Sequence, residues 1–173
     1  MKNIAIGFIV LITMQLNAQN NSMSDSLSVK TIDGIVIRAF DLLSRKDDKI
    51  KNMEKTRNLY LPSAKFTILN HPIDSLPQKY ETVSLDEFLK YMNENQEYYE
   101  KGFTQYELGK VVNEYNGIAN VFQGFYAKDS ENQEVKGITS YQLIYFNERW
   151  WISDLLWTTD TNGNPIPEKY LKN

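Results

Sequence analysis

From residue 31 onward, apolar positions first recur at steps of three and four and later alternate, so helices come before strands. Ile32, Ile35, Val36, Ala39, Phe40 and Leu43 form one apolar face and predict a first helix over residues 31–45, with Thr31 as N-cap. A shorter helix is predicted over 49–59, carrying Ile50 and Met53 and stopped by Pro62. Residues 65–69 read as a short strand, and 71–82, with Pro72 and Pro77, as a loop. Ser84-Leu85-Asp86-Glu87 is a capping box. It opens a third helix with Leu85, Phe88, Leu89 and Met92 on one face, running to about residue 101 with Gly102 as C-cap. Four long strands follow between residues 103 and 159. Asn116-Gly117 predicts a two-residue hairpin turn, because both positions tolerate positive φ. That turn pairs Tyr115 with Ile118, Val112 with Val121, Leu108 with Phe125 and Tyr106 with Ala127. Gly109 falls opposite Gly124, which marks a bulge or bend beyond which Glu107 can face either way. A second hairpin is predicted around Asn147-Glu148, and an extended tail from residue 164 onward. This order predicts an α+β fold, with three N-terminal helices against one face of a strongly curved, mostly antiparallel sheet that can enclose a pocket.

Residues 1–18 read as a secretory signal peptide: Lys2 is a positive start, 4–16 an apolar run of signal length, and Ala18 a small residue at the cleavage position. An uncleaved N-terminal anchor is the other reading of the same segment. Residues 19–30, rich in Asn and Ser, are expected to be a disordered leader, and 31–173 a single domain. Removing residues 1–18 leaves 155 of the 173 and takes the net charge from −3 to −4. The expected location is therefore periplasmic or extracellular, with no membrane association after cleavage. The chain has no cysteine, so an exported domain would be held by packing alone, without thiol catalysis or zinc thiolates. Mild acidity argues against a nucleic-acid partner.

Several segments in order resemble the nuclear transport factor 2-like superfamily, which includes ketosteroid isomerase-like and SnoaL-like proteins. They are the first helix with Ile35, Phe40 and Leu43, then Leu59-Tyr60-Leu61-Pro62-Ser63-Ala64-Lys65-Phe66, then Tyr115-Asn116-Gly117-Ile118-Ala119-Asn120-Val121-Phe122, and last Arg149-Trp150-Trp151-Ile152. The chain is most similar to exported members of the superfamily ending like Pro165-Ile166-Pro167-Glu168-Lys169-Tyr170-Leu171. The resemblance implies a cone of helices on a curved sheet, a pocket at its open end and often a homodimer. It implies no particular activity, because such folds carry many.

Two constellations stand out. With Asn147-Glu148 as the turn, Tyr141 lies opposite Asp154, and a Trp-rich wall would desolvate that carboxylate. This suits a base with a phenol partner, or a structural Asp bonded to a Tyr hydroxyl. Glu107 is a second weak candidate base. On the other face, Ser140 and Gln142 would meet Leu155 and Trp157, joined by Tyr106 and Gln123 from the first hairpin. These five polar or aromatic residues (Tyr106, Gln123, Ser140, Gln142 and Trp157) suit a pocket for a small apolar or amphipathic ligand, or else a core in which the polar groups bond one another. His71 is the only histidine, so no multi-histidine metal site is expected, and no motif points to a cofactor. The functional expectations are a ligand-binding domain without a complete catalytic set, an isomerase, lyase or hydrolase using a carboxylate base, or a homodimeric interaction domain.

Overall fold

The computed structural model describes residues 26–43, 53–71, 77–95, 102–129, 131–161 and 163–172. The expected signal peptide, residues 19–25 of the leader, and residues 44–45, 49–52 and 96–101 of the expected helices lie outside the described residues. The described leader residues, 26–30, are mostly exposed or half-buried. Val29 is buried and its carbonyl accepts from the Trp150 amide at 2.8 Å, so the ordered domain begins ahead of Thr31.

Helix α1 (Ile32–Leu43) starts where the sequence places it, with Thr31 Oγ1 accepting from the Gly34 amide at 3.0 Å. Helix α2 is a short turn, Met53–Arg57. Helix α3 (Leu85–Glu94) carries the full capping box, with Ser84 and Glu87 bonded reciprocally. Asn95 closes it, seven residues ahead of the expected Gly102 cap. The strands are β1 (Tyr60–Asn70), β2 (Lys79–Ser84), β3 (Thr104–Tyr115), β4 (Ile118–Lys128), β5 (Glu134–Phe146) and β6 (Arg149–Thr159). They form one sheet in the order β2-β1-β6-β5-β4-β3, parallel only between β1 and β6. A 3-10 helix, Glu168–Tyr170, follows. The helical segments thus exceed the three expected, and the sheet is bent at local irregularities rather than strongly curled.

β2 occupies part of the segment expected to be a loop. Its residues are exposed or half-buried and it pairs only with β1, so it has no inward apolar face to announce it. β1 starts five residues earlier than expected and carries Pro62. The ladder to β6 is interrupted between Tyr60 and Lys65, where the missing amide of Pro62 costs no hydrogen bond.

The helices lie on one face of the sheet. Ile35, Val36 and Ala39 of α1 and Leu85, Phe88, Leu89 and Met92 of α3 join Tyr60, Phe66, Val121, Tyr141, Leu143, Trp150, Ile152 and Leu155 in one core. Phe66 and Phe88 stack with centroids 4.1 Å apart. The opposite, outer face is crossed by the chain's own C-terminal segment. Tyr170 stacks on Phe122 at 5.7 Å, and the backbone of 170–172 lies against Gly124 and Gly109.

Candidate functional site

Both expected turns form, with positive φ at Asn116 and Gly117 and at Asn147 and Glu148. Close to the turns the register follows them: Tyr115 pairs with Ile118, Val112 with Val121, and Ile144 with Trp151. Farther out, one bulge in each hairpin changes which side chains meet. In β3 the extra residue is Leu108, so Glu107 rather than Leu108 stands opposite Phe125, and Tyr106 opposite Tyr126. In β6 the extra residue is Ser153, so Tyr141 faces Leu155, and Gln142 faces Asp154. Because side chains alternate, each single-residue slip moves everything beyond it to the other face.

The expected pairing of Tyr141 with Asp154 is therefore corrected: Asp154 lies on the outer face and Tyr141 on the inner one. The expected set around the ligand divides in the same way. Ser140 is on the outer face, accepting from Asn120 Nδ2 at 3.2 Å, and Gln142 is exposed beside Asp154. Tyr106 is about half exposed and stacks on Tyr126 at 4.7 Å, also outside. Trp157 and Gln123 face inward. His71, expected in an exposed loop, is half-buried at the end of β1, with Nε2 3.0 Å from Thr158 Oγ1.

A cavity of about 240 Å³ lies between the helices and the inner face. Leu43 of α1 and Phe88 and Met92 of α3 form one wall. The sheet contributes Phe125 and Ala127 from β4, Val135, Thr139 and Tyr141 from β5, and Leu155, Trp157 and Thr159 from β6. Phe103 and Gln105 complete it from the start of β3. Most of this wall is apolar, and none of the described residues lining it is acidic or basic. Of the sequence-predicted residues, Trp157 and Tyr141 line it, whereas Gln123 lies behind it. Phe103, Gln105 and Thr139 were not singled out in the sequence. Gly109 was the available signal, since a bulge there is what turns the first half of β3 inward.

Behind Tyr141 runs a buried polar chain. The Tyr141 hydroxyl donates to Gln123 Oε1 at 3.2 Å, and Gln123 Nε2 donates to Glu107 Oε2 at 2.6 Å. Lys110 Nζ donates to Glu107 Oε1 at 2.9 Å and lies 3.5 Å from Asp33 Oδ1 on α1. Burial disfavours the charge on Lys110, but the hydrogen bonds and charges of Glu107 and Asp33 outweigh it and its pKa is raised. Burial, with the neighbouring Tyr60 and Glu107, pushes the Tyr141 phenol well above its ordinary range. Tyr60 is raised by burial as well, and its hydroxyl has no hydrogen-bond partner among the described residues. At neutral pH the cavity thus meets a protonated phenol whose proton is already directed at Gln123. The described residues include no cluster of three or more His, Cys, Asp or Glu able to hold a metal.

This fold, helices on one face of a six-stranded mixed sheet with a cavity between them, is shared with solved structures described as NTF2-like or cystatin-like. Solved structures with the same fold include a candidate ketosteroid isomerase from Shewanella frigidimarina, 18% identical over 72% of this chain and 92% of that one, with a TM-score of 0.54. An NTF-2 like protein of unknown function from Shewanella oneidensis is 13% identical over 72% and 93%, with a TM-score of 0.53. A protein of unknown function with a cystatin-like fold from Nostoc punctiforme is 8% identical over 74% and 87%, also at 0.53. No protein-family model matches the sequence, and no curated protein matches it.

Proposed function

We propose that this is an exported domain that binds a small, uncharged, apolar or amphipathic molecule in the cavity between its helices and sheet. The observation that carries this reading is the lining: aromatic rings of Phe88, Phe103, Phe125 and Trp157 around a void of about 240 Å³, with neutral polar groups and no charged side chain among the described residues that line it. A charged ligand would lose its hydration there without gaining a counter-ion. Titration of the mature chain with 1-naphthol, followed by tryptophan fluorescence, tests it. Saturable binding abolished by Trp157→Phe/Phe125→Ala, with 1-naphthoate at least tenfold weaker, is the expected result. Equal affinity for naphthol and naphthoate, or no binding to any neutral ring compound, would overturn it.

A second reading keeps a carboxylate base, in isomerase, lyase or hydrolase chemistry. It is favoured by Glu107, which reaches the cavity wall through Gln123 and Tyr141 in two hydrogen bonds. A homodimer through the outer face is a further part of the proposal, supported by the exposed Ile118 and Leu156 there.

A further inference from the structure

The opposite end of β6 from the cavity holds a second, chemically different concavity. It is a half-open groove of about 480 Å³, bordered by Lys30 ahead of α1, Arg38 on α1, Lys55 on α2, Asn58, and Asn147 and Arg149 at the β5–β6 turn. Four cations thus share one wall in a chain whose net charge is −3. No acidic residue is among the described residues bordering it, although the Asp41 charge acts on Arg38 and Glu54 and Glu148 are near in sequence.

Lys30 and Arg149 are the informative pair, because both are held in place by neutral groups. Lys30 Nζ donates to the Glu148 backbone carbonyl at 2.8 Å. Arg149 donates from Nε to the Trp150 carbonyl and from Nη2 to the Asn58 carbonyl, while its guanidinium lies 3.8 Å from the Trp151 ring centroid. These bonds fix the two cations without neutralising them. Burial lowers the pKa of Arg149, the sign of a cation partly removed from water. A fixed, partly desolvated guanidinium beside the Lys30 ammonium is favourable toward an incoming anion, and the amides of Asn58 and Asn147 add hydrogen-bonding capacity.

We propose that this groove is a binding site for a small multivalent oxyanion, either a phosphate group or a di- or tricarboxylate. It is separate from the apolar cavity, so its occupant need not be the same molecule.

The test is a titration of the isotope-labelled mature chain at low ionic strength, first with inorganic phosphate and then with citrate, read by amide chemical shifts. Saturable shifts clustered at Lys30, Asn58, Asn147 and Arg149 are expected with at least one of the two, and which anion saturates first identifies the source. Affinity should fall at least tenfold in Lys30→Gln and be unchanged in Lys136→Gln, a lysine on β5 outside the groove. Arg149→Lys keeps the charge but loses the fork, and a loss of about threefold or more is expected there. Shifts that do not saturate, that spread over all surface lysines, or that survive unchanged in Lys30→Gln would overturn the proposal.

Discussion

Gln123 has no solvent exposure, yet both ends of its amide are engaged, one by Tyr141 and the other by Glu107. A buried amide is tolerated only when paired in this way. Gln123→Leu fits the volume but leaves the Tyr141 hydroxyl buried without an acceptor and Glu107 Oε2 without its donor. The expected cost is about 1–3 kcal/mol in urea unfolding. Tyr141→Phe, which leaves the Gln123–Glu107 bond in place, should cost less. The reverse ranking would mean that the chain of hydrogen bonds does not hold this part of the core. In the sequence, Gln123 could be placed on the inner face by counting from Asn116-Gly117. Its partner could not, because whether Glu107 turns inward depends on a bulge that local residues permit but do not require.

At the level of elements, the paired glycines have a more specific role than bending the sheet. A Cβ on Gly124 would run into the Tyr170 carbonyl, and one on Gly109 into the backbone of Lys172. The two glycines form a shallow notch that lets the C-terminal segment lie flat on β3 and β4. Gly124→Ala should therefore destabilise the full chain, and the penalty should vanish in a chain ending at Asn164. A thermodynamic cycle of the four proteins by urea unfolding measures this coupling. An equal penalty in both backgrounds would place the strain inside the sheet. The same glycines show where legibility ended. The helix N-caps at Thr31 and Ser84 and both hairpin turns follow from residues adjacent in sequence, and they form as expected. β2, the early start of β1 and the parallel β1–β6 pairing depend on partners far away in the chain. Asp154 moved to the outer face for that reason: Ser153 bulges where β6 must satisfy β5 on one side and an interrupted β1 on the other.

For the molecule as a whole, the internal polar chain sets the response to alkali. Lys110, Tyr141 and Tyr60 all have pKa values raised in the folded state. Their unfolded values lie near the ordinary ones, about 10 for Tyr and 10.4 for Lys. Below about pH 10 both states hold these protons and their contribution to stability is fully present. Above that, the unfolded chain releases protons that the folded chain keeps, so stability falls as pH rises toward the folded values. Urea midpoints measured from pH 8 to about 11 should be level at first and then decline. Phenolate absorbance gives an independent reading. Of the 11 tyrosines, the fully buried Tyr60 and Tyr141 should contribute their increments only as the chain unfolds. Tyr141→Phe should remove one of the late increments and make the alkaline decline shallower. If every tyrosine ionised near pH 10 with the near-ultraviolet circular dichroism unchanged, neither phenol could be sealed inside the core. The hydrogen-bonded wall behind the cavity would then have to be abandoned.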